Sequence, residues 1–309
     1  MNPPANGPES ALDAQTLAPA APSATRPMYW SVRRELWENR SIYLAPLGVA
    51  AVFLFGFLIS MITLPGRVRA ALALDPMQQQ EALKQPYSFA AMLIMGAAFF
   101  VGIFYCLEAL QGEGRDRSIL FWKSMPVSDL TTVLAKASVP IVILPLLSFA
   151  VTAATQLLML LLSSAVVLAS GLDAATLWRQ VPWPHMSLML LYHMVTVHVF
   201  WYAPIHAWLL LASAWARRAA FLWAALPPLA IGVVEKLAFN TSHFTSLLGR
   251  RMAGPEAFPA KATGGNTMDP LAHADPGKFL SAPGLWIGLV FAAIFLAAAV
   301  HLRRHREPS

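Results

Sequence analysis

The sequence predicts an all-α integral membrane protein with six transmembrane helices and an N-terminal interfacial amphipathic helix. Of its 309 residues, 57% are hydrophobic and only 12% are charged, roughly half the charged share of a typical soluble domain. The apolar residues also form long uncharged blocks, which the surface of a soluble protein of this size could not hide. The mean hydropathy of +0.55 agrees with this fold class.

The chain is basic, with 22 Lys and Arg residues against 16 Asp and Glu residues and a formal net charge of +6. Such a balance indicates nucleic-acid binding only when the charges cluster on one folded surface. Here they lie mostly in short segments between apolar blocks, as in cytoplasmic loops that face anionic lipid. We therefore expect membrane lipid as a partner and no nucleic acid. The single cysteine, Cys106, excludes an internal disulfide and a multi-cysteine metal site.

The N-terminal region divides into two parts. Residues 1–27 are rich in Pro and Ala and contain no apolar run, which predicts a disordered tail. Residues 28–40, MYWSVRRELWENR, mix aromatic and basic side chains. Aromatic rings favour the headgroup level of a bilayer and Arg side chains reach phosphates, so this stretch predicts a short interfacial helix. A plain positively charged flank of the first span is the alternative.

Six apolar blocks are long enough to cross a bilayer, for which a helix needs about 20 residues. They cover residues 42–64, 88–110, 137–168, 187–214, 221–239 and 283–302. We expect one transmembrane domain over residues 28–303 and a basic tail over residues 304–309.

Prolines mark irregular points in two of these blocks. Pro140 and Pro145, near the start of the long third block, predict a kink or a tilt. Pro227 and Pro228 predict an interruption of the fifth block. A full fifth span and a broken or re-entrant pair are therefore both open.

The basic residues predict the orientation. Placing the N-terminus inside puts thirteen of the 22 Lys and Arg residues on the cytoplasmic side, as the positive-inside rule requires. Both termini are therefore predicted to be cytoplasmic. Residues 240–282 would then form an outer loop, and a substrate lid, a partner site and a disordered connection are all open for it.

The connection between spans two and three, LEALQGEGRDRSILFWKSMPVSDLTTVLAKA, combines charges of both signs with an apolar patch. The residues concerned are Glu113, Arg115, Asp116, Arg117, Phe121, Trp122, Lys123 and Asp129. Aromatic residues and Arg are enriched at protein interfaces, so the pattern predicts a docking element for a partner. Ser128 or Asp129 is placed to cap the helix that follows. Alternatively, Phe121 and Trp122 are lipid-facing anchors and the charges serve only the orientation.

These features together resemble the permease subunits of bacterial type-2 ABC exporters. The resemblance covers residues 28–303 and depends mainly on GEGRDRSILFWKSMPVSD, with PPLAIGVVEKLAFNTSHF later in the chain. It implies a location in the bacterial inner membrane and a cytoplasmic coupling helix between spans two and three. That coupling helix would insert into a cleft of an ATP-binding cassette subunit, beside the N-terminal helix. Residues 115–129 would then transmit motion between the two subunits.

The chain has no nucleotide-binding motif of its own. GxxxxGK[ST] does not occur, and the Gly277–Lys278 pair has Ala272 where the first glycine should stand. We expect no cofactor in this chain, and the resemblance then implies that ATP and Mg²⁺ are bound by a separate ATP-binding subunit. In that family six spans are half of the usual translocation unit, so the resemblance also implies a second permease subunit in a homodimer or heterodimer. We also expect no enzymatic activity, because no GxSxG elbow or activated cysteine is present.

Span four carries a polar stripe. His198, Tyr202 and His206 recur at four-residue intervals, which places them on one face of an α-helix, whereas His193 falls off that face. The stripe either lines a substrate path or makes hydrogen bonds between helices. Its spacing is unlike that of known metal sites, so we predict no metal.

Two carboxylates lie near the ends of spans. Glu108, at the cytoplasmic end of span two, is either a proton carrier or a side chain that reaches the interface. Glu235, near the outer end of span five, either gates the outer mouth of a path or ends a broken helix.

The leading hypothesis is that the chain is the transmembrane subunit of an ATP-driven exporter. A gradient-driven secondary transporter, with Glu108 and the span-four histidines in a proton relay, is the first alternative. A non-transporting membrane partner or sensor is the second. The sequence does not identify the cargo.

Overall fold

The computed structural model describes residues 25–112, 128–254 and 276–305. These residues are almost entirely helical, and no strand occurs among them. Five of their helices are long and apolar enough to cross a membrane, and counting one bent pair as a single span raises the number to six. The prediction of an all-α protein with several membrane-spanning helices is therefore confirmed.

The first helix, α1 (Thr25–Glu38), is amphipathic. Its buried face carries Glu35, while Tyr29, Trp30 and Trp37 are exposed on the rest of the surface. The helix begins three residues before the predicted start at Met28. It packs against the helix that follows the connection between spans two and three.

Span one is a continuous rod made of α2 (Ser41–Ser60), a 3₁₀ turn (Met61–Thr63) and α3 (Leu64–Leu72). Span two is α4 (Pro76–Ala109), with Pro76 in the first turn, where its missing N–H is not needed. Its 34 residues correspond to about 51 Å at 1.5 Å per residue, well beyond the roughly 30 Å of hydrocarbon. Both spans therefore extend past the predicted apolar blocks.

Span three starts as α5 (Asp129–Ser138), passes through a π-helical stretch (Val139–Ile143) and continues as α6 (Leu144–Ala169). Pro140 lies in the π stretch and cannot donate a backbone hydrogen bond, which explains the local change of helix type. The irregularity predicted from the prolines is thus present. At the start of α5, the Ser128 side chain accepts a hydrogen bond from the Thr131 N–H at 3.1 Å, as a helix cap.

Span four is built from four pieces: α7 (Ala174–Gln180), α8 (Trp183–His193), a π-helical stretch (Met194–Trp201) and α9 (Ala203–Trp215). The axis bends by 44° between Trp201 and Ala203. Pro204, in the first turn of α9, cannot donate to the preceding turn, so the π stretch and this proline together account for the bend.

Span five, α10 (Ala220–Phe239), is one unbroken helix that contains both prolines, so the predicted interruption is wrong. Pro228 cannot donate to the carbonyl of Ala224 four residues earlier. The indole N–H of Trp208 donates to that carbonyl instead, at 3.0 Å. This bond from span four satisfies the acceptor that the proline leaves open.

The remaining elements are α11 (His243–Ala253), α12 (Pro276–Ser281) and α13 (Pro283–His305), the last being span six.

Two apolar clusters make up most of the core. One contains residues of all six spans and lies near the end of the bundle where Gly112 and Ser128 flank residues 113–127. We call this the loop end. The other joins spans one to three and α7 at the opposite end.

Candidate functional site

Seven residues of the predicted docking element lie outside the described residues. They are Glu113, Arg115, Asp116, Arg117, Phe121, Trp122 and Lys123. The eighth, Asp129, is described, as are both flanks of the connection. The candidate site can therefore be built from the groups that hold these flanks.

The first flank is fixed to span four. The backbone N–H groups of Leu110 and Gln111, just past the end of α4, donate to the hydroxyl oxygen of Ser213 at 3.0 and 2.9 Å. Ser213 is completely buried in α9. One side chain thus satisfies two backbone donors at the point where the chain leaves span two.

The second flank is fixed to span six. Arg303, near the end of α13, donates from Nε to a carboxylate oxygen of Asp129 at 2.9 Å. The Arg303 side chain is only 6% exposed and that of Asp129 24%. A charged bond of this kind is stronger than a neutral one because both groups are ionised. It joins the first residue of α5 to the last turn of α13.

A buried ion pair joins the same helix, α5, to α1. The ammonium group of Lys136 donates to one carboxylate oxygen of Glu35 at 2.7 Å, and the hydroxyl of Tyr105 donates to the other at 2.7 Å. Glu35 and Lys136 are 4% and 3% exposed. Burying two charges is costly unless each is paired and hydrogen-bonded, and this geometry meets both conditions.

These groups form the loop-end polar cluster, which comprises Glu35, Tyr105, Asp129, Lys136, Ser213 and Arg303. It links α1 and spans two, three, four and six around the two flanks. Of its members, the sequence pointed only to Asp129 as a site residue. Lys136 and Arg303 are two of the thirteen basic residues that the sequence analysis placed on the cytoplasmic side, and the structure buries both of them.

The outer face of α1 carries a stacked aromatic and cationic group. The guanidinium carbon of Arg33 lies 5.2 Å from the ring centroids of both Trp30 and Trp37. Trp30 is 58% exposed and Trp37 is 71% exposed. Cation–π contacts of this kind hold the three side chains together on one surface. That surface has the chemistry expected of an interfacial helix.

The predicted polar stripe of span four is present, and it is larger than expected. The ring centroids of His198 and Tyr202 are 5.4 Å apart, and Phe99 of span two lies 5.0 Å from Tyr202 and 6.4 Å from His206. His193 also belongs to the group, with its centroid 5.8 Å from that of His198.

The expectation that His193 falls off the stripe was therefore wrong. It assumed an α-helix, whereas a π-helix with i→i+5 hydrogen bonds runs from Met194 to Trp201 and brings residues five apart together. His206 is 3% exposed and faces Gly102 of span two. Within the described ranges, no group of three His, Cys, Asp or Glu residues is placed to hold a metal ion.

The structure places Glu235 at the N-terminus of α11 and not in the polar stripe. One carboxylate oxygen accepts from the His243 N–H at 2.6 Å and from the Thr241 hydroxyl at 2.9 Å, and the other accepts from the Phe244 N–H at 2.9 Å. The first N–H groups of a helix have no partner within it, and a carboxylate also favours the positive end of the helix dipole. Glu235 therefore caps α11.

The other end of α11 is bound over the bend in span four. The guanidinium of Arg251 lies 4.4 Å from the Trp201 ring centroid and donates to the Gly284 carbonyl of span six at 2.9 Å. It occupies the space that a side chain at Gly288 would need. The indole N–H of Trp201 donates to the Arg251 carbonyl at 3.1 Å. This docking was not predicted, although Gly284 and Gly288 form a small-xxx-small pattern typical of close helix approach.

Glu108 is exposed on span two. The described structure therefore groups the histidines, Tyr202 and Phe99 in one place and puts both carboxylates, Glu108 and Glu235, elsewhere.

A scan against protein-family models, a search of curated proteins and a search of solved structures find no match to this chain.

Proposed function

We propose that the chain is the membrane-spanning subunit of an ATP-driven ABC exporter, coupled to a separate ATP-binding subunit. The observation that carries this proposal is the loop-end polar cluster. Side chains of three other elements hold both flanks of residues 113–127: Ser213 holds the first, and Arg303 and Glu35 hold the second. A segment whose two flanks are held in this way can transmit the movement of a bound partner to several spans at once.

The mechanism follows from these connections. Closure of the ATP-binding subunits would push on residues 113–127, whose charged and aromatic residues are those expected of a docking element. Through Asp129 and Lys136, a movement of α5 would reach span six and α1. Span four would bend further or straighten at Trp201–Ala203, where the helix already departs from α geometry. Hydrolysis of ATP, with Mg²⁺, on the partner would reset the arrangement.

The proposed assembly contains two permease subunits, as a homodimer or heterodimer, with the substrate path between them. The loop end is the cytoplasmic end, and both termini are cytoplasmic in a bacterial inner membrane. Under this proposal α1 lies along the cytoplasmic surface. Its exposed Trp30, Arg33 and Trp37 suit that position because aromatic and Arg side chains favour the headgroup region.

Co-purification tests the proposal. The chain is tagged at its C-terminus and extracted in mild detergent, and P-loop ATPases in the eluate are identified. We expect one to be present, and we expect Phe121→Ala with Trp122→Ala to release it or to uncouple its ATPase activity from transport. Phe104→Ala is the matched control, because Phe104 is an exposed aromatic residue of span two outside the connection. Purification of the chain without an ATPase, with transport retained, would refute the proposal.

The contact between His193, His198 and Tyr202 favours one second candidate, a gradient-driven carrier. Contacting imidazoles within a span can relay protons, and intramembrane ionisable groups are often functional. Glu108, the carboxylate that such a relay was expected to use, is exposed on span two. Transport that survives His198→Phe and His206→Phe would exclude this candidate.

A further inference from the structure

A groove runs along the outside of spans one and two, with a volume of about 1120 Å³. Its walls are α2 and α3 on one side and the first half of α4 on the other, and Ser163 of span three lies at its floor. The groove is separate from the loop-end polar cluster and from the histidines of span four. It has no role in the proposed export mechanism.

The polarity of the residues that line the groove differs between its two ends. From Gly48 to Phe57 on span one, and from Phe89 to Leu93 on span two, it is apolar. Toward the other end the lining also carries the polar side chains of Ser60, Arg67 and Gln85, set among apolar ones such as Leu64 and Leu74. An amphiphile has the same order, with an apolar chain at one end and a polar headgroup at the other.

The polar end of the groove carries a cation that is not neutralised. Arg67 is exposed and has no ion-pair or hydrogen-bond partner among the residues that the structure describes. The residues that line the groove include no carboxylate. An anionic group placed there would therefore meet a positive charge without competition from an acidic side chain.

The level of Arg67 in the membrane matches that of a headgroup. From Ser41, at the loop end of span one, to Arg67 the rod rises about 39 Å at 1.5 Å per residue, whereas the hydrocarbon layer is about 30 Å thick. When the hydrocarbon is counted from Ser41, Arg67 therefore falls just beyond it on the side opposite the loop end. The apolar part of the groove, from Gly48 to Phe57, lies within it.

We propose that this groove binds an anionic phospholipid of the leaflet opposite the loop end. The acyl chain lies between spans one and two against Phe53, Phe57 and Phe89, and the phosphate is held by Arg67 with Gln85 beside it. A flexible chain can fill a groove between helices, and phosphate is the anion that Arg side chains commonly bind. The site does not require the chain to be an exporter.

Lipid retention by the full-length protein tests the site. The purified chain in detergent is titrated with phosphatidylglycerol or phosphatidylcholine, and bound lipid is counted by native mass spectrometry. We expect phosphatidylglycerol to be retained more strongly. Arg67→Gln should weaken its retention about fivefold, the factor for one lost Arg–lipid attraction. Val52→Trp should reduce retention of both lipids by filling the apolar part of the groove.

Two variants on the same span are matched controls. Arg69→Gln removes a neighbouring exposed charge that does not line the groove, and Ile62→Trp adds a bulky side chain at an exposed position outside it. Both should retain lipid as the natural chain does. Equal loss in Arg67→Gln and Arg69→Gln would overturn the proposal. A change of oligomeric state in Val52→Trp with unchanged lipid retention would also overturn it, because a second copy of the chain would then cover the groove.

Discussion

The two ends of the helix bundle hold their charged groups in different ways. At the loop end, charges from distant segments pair with each other: Lys136 with Glu35, 101 positions away, and Arg303 with Asp129, 174 positions away. At the opposite end, Glu235 and Arg251 bind backbone groups, and the exposed Arg179–Asp173 pair joins residues only six positions apart. Glu235 caps a helix that starts eight residues later, and Arg251 donates to the carbonyl of Gly284.

This difference has a mechanical consequence. Side-chain pairs between distant segments join whole spans, so a displacement of one span is passed to the others. A cap on a nearby helix fixes only that helix, and α11 is bound as a small unit over the bend of span four. The loop end is therefore suited to transmit force between spans. The opposite end is suited to hold one helix in place.

The largest effect is expected at the buried ion pair. Glu35→Ala removes the carboxylate to which Lys136 and Tyr105 donate. Breaking a buried pair by removing one partner typically costs about 3–5 kcal/mol. We expect a loss of this order in the free energy of unfolding, measured by thermal or denaturant unfolding in detergent.

Glu38→Ala is the control on the same helix. Glu38 pairs with Arg34 at 2.6 Å, but its side chain is 51% exposed. Exposed pairs four residues apart in a helix contribute about 0.3–0.5 kcal/mol, so this variant should unfold nearly as the natural chain does. Equal losses in the two variants would mean that α1 is not held to α5 by the ion pair.

A smaller effect is expected where α11 meets spans four and six. Gly288→Ala adds a methyl group where the Arg251 guanidinium lies, so Arg251 must leave its place against Trp201. The loss of a cation–π contact and a hydrogen bond corresponds to about 1–2 kcal/mol. We expect lower thermal stability together with faster proteolysis after Arg250 or Arg251.

Gly284→Ala is the matched control for this prediction, one helical turn earlier on span six. A methyl group there would meet the Trp201 ring at an ordinary contact distance of 3.8 Å. This variant should keep both its stability and its resistance to proteolysis. If Gly284→Ala and Gly288→Ala behaved alike, close packing of span six in general, and not the place of Arg251, would explain the loss.

The sequence predicted the helical class and most of the span positions because hydropathy and length are local properties. It also predicted the Ser128 cap, the irregular helix at Pro140 and the stripe at His198, Tyr202 and His206. These features depend on neighbours within a turn or two. The prediction for His193 assumed regular α geometry and was wrong because span four is π-helical there. The predicted interruption at Pro227 and Pro228 was wrong because span five is one continuous helix, in which a bond from Trp208 satisfies the carbonyl that Pro228 leaves open.

The polar contacts between distant elements could not be predicted in this way. Glu35 is one of two acidic residues in a basic stretch, and nothing in that stretch indicates that Glu35 faces Lys136 while Glu38 remains exposed. The choice depends on how α1 lies against α5. The position of Arg251 against Gly288 likewise depends on where α11 folds back. Such pairs become visible only when the packing of the helices is known.

The smallest effect concerns Trp208 and span five, and it tests whether side-chain bonds to the backbone matter at the loop end as well. Trp208→Phe removes the donor to the Ala224 carbonyl, at a cost of about 1 kcal/mol. Pro228→Ala supplies a backbone N–H to the same carbonyl, so Trp208→Phe should cost less in that background. A double-mutant cycle of unfolding free energies measures the coupling. Additive losses would show that the indole bond does not compensate for the proline, and the continuity of span five would then need another cause.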